Sequence, residues 1–250
     1  MAAAGRCGHC GGRGAPRGAP RGVLGGARGA RRWGRAVSGA PGWTREEARA
    51  ALAAAGLAVE LDDERWGRVA RFFELRARWA GTHNLSGPQA LADLRADLLD
   101  AAAVWAALGG GEAGDAPPLA DVGSGSGAPG LLVACLAPTR PLWLVEPLAK
   151  RCAFLRTAAH ALELTEVRVF RERWPSARVD ALGPCVAVSR AVVSPEEWPH
   201  LAARPQVSAV VQLLAQRRPA WPLAGFSLAA EVRYVAPDGG ERVARRWTRG

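Results

Sequence analysis

The sequence predicts an α/β fold: a mostly parallel, Rossmann-like sheet that ends in an antiparallel C-terminal hairpin and follows a small helical cap. Residues 120–130 read A-D-V-G-S-G-S-G-A-P-G, a glycine turn between a short apolar lead and the helical run L-L-V-A-C-L. Downstream, short apolar strands at 142–146, 167–170, 186–188 and 208–214 are separated by helical or polar stretches, the order of a parallel sheet with crossovers. Residues 226–235 and 242–247 then alternate around Asp238-Gly239-Gly240, which is hairpin chemistry.

In the glycine stretch, strand, turn and helix follow one another as in a nucleotide-binding crossover. Glycines let the backbone turn tightly and approach a ligand, and the helix N-terminus offers free N–H groups. Pro129 suits a first helical turn, where its missing N–H is not needed. Gly123, Gly125 and Ala128 loosely satisfy the dinucleotide pattern G-x-G-x-x-G/A. Gly123, Gly125 and Gly127, preceded by the acidic Asp121, look more like the first motif of class I S-adenosylmethionine methyltransferases. Glu146 ends the second strand 23 positions after Gly123, where a carboxylate accepts hydrogen bonds from ribose hydroxyls. Both cofactor classes use that carboxylate.

The net charge of +10 belongs to the ends of the chain. Residues 1–42 carry eight Arg and no acid, and residues 241–250 carry four Arg and one Glu. Residues 43–240 hold 21 basic and 22 acidic groups, so the body is neutral. The first 42 residues are rich in Gly, Ala, Arg and Pro, with little to bury, and are expected to be a disordered basic tail. Such an arm adds salt-dependent affinity for nucleic acid; a transit-like segment and a stretch upstream of the true start are the other readings. No secretory apolar core is visible, and no apolar run reaches the ~18 residues that span a bilayer, so a soluble protein without a membrane partner is expected. Cys7, His9 and Cys10 lack a second ligand pair at zinc spacing, so no metal site is expected. Five scattered cysteines fit a reducing compartment.

Residues 43–108 read as the helical cap. Thr44 with Glu47 makes a capping box for a helix carrying Ala48, Ala51, Leu52 and Ala55, stopped by Gly56. Residues 64–80 place Val69, Phe72, Phe73, Leu75 and Trp79 at helical spacing. His83, Asn84, Leu85 and Ser86 form a turn, His83 being read as a junction residue rather than a base, and a third helix opens at Ser86 or Pro88 and runs to Leu108. Residues 109–117 are a linker, and 118–250 form the cofactor-binding domain. The helix after Glu146 is expected to bury Ala149, Ala153, Phe154, Ala158 and Leu162, and to leave Arg156 in solvent.

The order R-W-A-G-T-H-N-L-S (78–86), A-D-V-G-S-G-S-G-A-P-G (120–130), L-V-E-P-L-A-K-R-C-A-F-L-R (144–156) and V-S-R-A-V (188–192) is similar to that of the bacterial small-subunit ribosomal RNA guanine-N7 methyltransferases, the GidB/RsmG family. The resemblance runs from about residue 43 to about residue 205. It implies a class I methyltransferase sheet and a cytoplasmic, monomeric enzyme. Its cofactor would be S-adenosyl-L-methionine and its partner 16S rRNA or the small ribosomal subunit. Carried over, Asp121, Gly123, Ser124, Gly125 and Gly127 would wrap the amino-acid end of the cofactor, and Glu146 would hold the ribose. Arg173 and Arg190 would complete the cofactor site, with Lys150 and Arg190 gripping RNA phosphate or the target base. Guanine N7 carries a lone pair and no proton, so no general base is needed.

The departures concern substrate more than cofactor. Where the third helix of the family carries His and then Asp-Ser, this chain has Asp97, Asp100 and Ala101. Arg173-Trp174-Pro175 replaces R-x-E and loses an acid near the adenine. The fifth strand ends L-L-A-Q-R-R, without the family's lysine, Arg217 and Arg218 being possible substitutes. Pro184-Cys185 resembles the nucleophile dipeptide of 5-methylcytosine enzymes, but Cys185 precedes its strand and reads as structural. No N-P-P-Y or D-P-P-Y occurs, which argues against exocyclic amine methylation. The alternatives are a diverged methyltransferase with another substrate, a nicotinamide-dependent oxidoreductase, and a non-catalytic module holding cofactor or RNA.

Overall fold

The computed structural model describes residues 43–83, 91–110, 115–190, 192–216 and 222–250. The basic tail with its Cys7, His9 and Cys10, the turn at 84–86, the start of the third helix, and Arg217 and Arg218 lie outside them.

Three helices come first: α1 (Arg45–Ala54), α2 (Asp63–His83) and α3 (Leu91–Ala107). Thr44 and Glu47 form the expected capping box, each side chain accepting the other's backbone N–H at 3.2 and 2.8 Å. α2 begins earlier than hydrophobic spacing suggested, because the Asp62 carboxylate accepts the Arg65 N–H at 2.7 Å and caps the first turn.

The sheet follows, with β1 (Leu119–Val122), α4 (Gly130–Leu136), β2 (Leu142–Val145), α5 (Ala149–Ala161) and β3 (Val167–Phe170). Next come α6 (Ala177–Asp180), β4 (Cys185–Ser189), α7 (Glu197–Ala202), β5 (Val207–Leu214), β6 (Phe226–Val235) and β7 (Glu241–Arg249). The spatial order is β3-β2-β1-β4-β5-β7-β6. β1 to β5 run parallel, and β7 inserts antiparallel between β5 and β6. This is the class I methyltransferase sheet.

β1, β2 and β4 are buried along their whole length, as expected of parallel strands covered on both faces. Alternation sends Leu142 and Leu144 to one core and Trp143 and Val145 to the other. The first core is continuous with the N-terminal helices: Phe72, Phe73, Leu98 and Val104 pack together with Leu131 and Leu132 of α4. The second core holds Val179 of α6 and Trp198 of α7. On α5 the buried face differs from the expected one: Ala149 and Ala153 are exposed, while Cys152, Phe154, Leu155, Ala158, Ala159 and Leu162 are buried. The helix turns Cys152 inward, its Sγ 3.0 Å from the Glu146 carbonyl, and the face rotates with it. Among the described residues no helix is long and apolar enough to cross a membrane, and no cluster suits a metal ion.

Candidate active site

At the carboxyl ends of β1 to β4, where the strand order reverses between β1 and β4, lies a cavity of about 570 Å³. The glycine loop forms its floor. Gly123 donates its N–H to the Val145 carbonyl at 2.8 Å, pinning the loop against β2. The Gly125 N–H donates to the Glu146 carboxylate at 3.0 Å, and Leu148 N–H to its other oxygen at 2.9 Å. Glu146 is 1% exposed, and Arg151 approaches it to 3.9 Å. Each carboxylate oxygen retains a lone pair for a ligand hydroxyl.

Two glycines are demanded by close approach. A Cβ at Gly123, which has φ +72°, would lie 2.2 Å from the Val192 methyl that closes over the loop. A Cβ at Gly130 would meet the Asp121 carboxylate at 2.5 Å. That carboxylate accepts the Gly130 N–H at 3.1 Å, at the start of α4. Burial pushes the Asp121 carboxyl up to about 7, against the lowering effects of the Gly130 N–H and Arg190. Asp121 therefore lies beneath the loop, outside the cavity lining, as does Gly127, which faces Leu131 and Phe72.

Gly123, Ser124, Gly125, Glu146, Arg173 and Arg190 do line the cavity. Lys150 does not; it is exposed near the start of α5, and Arg151 takes the inward position. Glu172 and Trp174 also line the wall, so an acid remains beside Arg173, one residue before it. Sequence spacing missed Glu172 because it was sought after the arginine.

Arg190, directly after β4, bridges this cavity to a second one of about 260 Å³. Its guanidinium pairs with Asp97 and, at 3.4 Å, with Asp100. Burial alone would lower its pKa; the two carboxylates outweigh that and raise it, holding the side chain charged. Asp97 also pairs with the buried Arg76 of α2 through its other oxygen. Asp100 accepts from the Tyr234 hydroxyl at 2.7 Å and from Arg242 at 3.2 Å. Desolvation and Asp100 push the Tyr234 phenol up, so it stays a donor. Asp97, which stands where the family carries His, and Asp100, which stands at the family's Asp, are thus the carboxylates that hold Arg190. Cys185 opens β4, and burial pushes its thiol up to about 12, which disarms it as a nucleophile.

The model of the family described as rRNA small subunit methyltransferase G matches residues 67–215. The chain is 31% identical over 159 residues to a protein of that name from Wolinella succinogenes, covering 62% of this chain and 77% of the relative. It is 34% identical over 149 residues to one from Dichelobacter nodosus, covering 56% of this chain and 64% of that one. A third, from Nitrosospira multiformis, is 35% identical over 140 residues, covering 55% of this chain and 61% of the relative. The match thus spans less than two thirds of the latter two.

Proposed function

Given that the chain belongs to the rRNA small subunit methyltransferase G family, we propose that it transfers the methyl group of S-adenosyl-L-methionine to N7 of a guanine in 16S rRNA. It acts in the cytoplasm as a monomer, on the RNA or on the small ribosomal subunit. The observation that carries the reading is the junction at Arg190: a cofactor-sized cavity with a glycine floor and a buried carboxylate shares one fixed cation with a second cavity.

The residues present suit the cofactor. The Glu146 carboxylate keeps acceptor capacity for ribose hydroxyls, while Val145, Leu148 and Trp174 supply apolar surface for an adenine. Gly123, Ser124 and Gly125 give the amino-acid end an approach free of side-chain bulk, and Asp121 positions the loop from below. When bound, S-adenosylmethionine supplies an electrophilic methyl on a sulfonium.

N7 attacks with its own lone pair, so no residue has to remove a proton. The work of the chain is orientation and electrostatics. Arg190, fixed by Asp97 and Asp100, offers N–H donors to the guanine at the boundary of the two cavities. Arg173, on the cavity wall, completes the cofactor site, and Lys150, exposed near the start of α5, meets RNA phosphate.

Incubation of the full chain with radiolabelled S-adenosylmethionine and unmethylated 30S subunits tests this. Label mapped to a guanine N7 of 16S rRNA is the expected result. Binding of S-adenosylhomocysteine without labelling would move the substrate elsewhere, and binding of NAD in its place would replace the reading with an oxidoreductase.

A further inference from the structure

The second cavity has the chemistry of a base pocket. Its walls include Val193, Pro195, Trp198, Leu213 and Tyr234, an apolar setting for the faces of a planar ring. Its charged members are one anion, Asp100, and two cations, Arg190 and Arg242, and Ser189 and Tyr234 add hydroxyls. Asp100 Oδ1 already accepts from Tyr234 and Arg242, whereas Oδ2, among the described residues, makes the 3.4 Å contact with Arg190 alone. Oδ2 therefore keeps acceptor capacity, and both guanidinium groups keep unused donors.

We infer that this cavity takes the target guanine extruded from the RNA, with Asp100 accepting from its N1–H and an arginine donating to its O6. The inference rests on the proposed methyl transfer and adds the residue that selects the base. An acceptor beside a donor matches the N1–H and O6 of guanine, and it opposes adenine, which presents an acceptor at N1 and a donor at N6. A base drawn out of its stack into an apolar slot and read on its Watson–Crick edge is the general solution for enzymes acting on a base. Because Arg190 lines both cavities, an O6 that it holds places the neighbouring N7 edge on the cofactor side. Tyr234, from the cavity wall, donates to Asp100 Oδ1 and is a positioning residue.

The test uses the full chain and small subunits rebuilt with 16S rRNA carrying one altered base at the guanine that the wild-type protein methylates. Inosine keeps N1–H and O6 and is expected to be methylated within about tenfold of guanine. 2,6-Diaminopurine keeps N7 and the 2-amino group but reverses the pattern at N1 and C6, and is expected to fall at least 100-fold in kcat/KM. Comparable rates for 2,6-diaminopurine and guanine would overturn the inference. Asp100→Asn is expected to lose at least 100-fold in methyl transfer with S-adenosylhomocysteine affinity within twofold; a folded variant that transfers at the wild-type rate would overturn it too. Failure of the wild-type protein to label any 16S guanine would instead remove the functional reading and this one with it.

Discussion

On the cofactor side of Arg190, contacts form between near neighbours in the chain: Asp121 with Gly130 nine residues away, and Gly125 with Glu146 twenty-one away. On the other side, Arg190 meets Asp97 across 93 residues, Tyr234 meets Asp100 across 134, and Arg242 meets Asp100 across 142. The first cavity is made of backbone N–H groups and glycines, and the second of buried ion pairs and rings. A local backbone cradle tolerates almost no added side-chain volume. A network of distant charges tolerates almost no missing partner.

The sharpest way to separate the two is Gly125→Arg. The residue has φ +54° and its N–H serves Glu146, so an arginine there is strained and fills the cavity. Binding of S-adenosylhomocysteine should fall beyond calorimetric detection while the far-ultraviolet circular dichroism stays native; normal binding would refute the cradle.

Asp97→Ala should cost about 3 kcal/mol in urea unfolding, because it removes a buried carboxylate that pairs with both Arg76 and Arg190, the first of them buried. A loss under about 1 kcal/mol would mean that the charges are solvated and the network is incidental.

Arg190→Ala tests the shared element. Methyl transfer should drop about 100-fold or more, roughly 2.7 kcal/mol of barrier, with cofactor affinity little changed. Equal losses in binding and transfer would assign Arg190 to structure.

Asp121 gives the cradle its own pH signature. Its carboxyl titrates near 3.8 unfolded and at about 7 folded, so the folded state holds the proton more tightly. Its contribution is fully favourable below pH ~4 and is lost as pH rises through ~7, on the order of 1 kcal/mol per pH unit across the window. Asp121→Asn should flatten the stability profile there. An unchanged slope between pH 4 and 7 would place the titration elsewhere.

Thr44→Ala, remote from both cavities, should lower stability by about 1 kcal/mol through the lost cap and leave methyl transfer unaltered.

What was legible in the sequence follows the same division. The glycine loop, Glu146, the capping box and the β6 boundaries could be read because each depends on residues close in sequence. The Arg190 network could not, since nothing local says that two aspartates one turn apart on α3 will face β4, β6 and β7. α7 has a local signal as well: the Ser194 and Glu197 side chains each accept the other's backbone N–H, at 3.3 and 3.2 Å, an S-x-x-E box at its start. On α5 small alanines carry little apolar signal, and the larger apolar Cys152, fully buried, sets the face that turns inward.

The insertion of β7 between β5 and β6 also imposes an order in time. As the chain leaves the ribosome, everything that shapes the cofactor cradle has emerged well before β7 exists to fill the gap in the sheet. Arg242 reaches Asp100 only with β7, so the nascent chain shapes its cofactor cavity before the ion-pair network around Asp100 is complete.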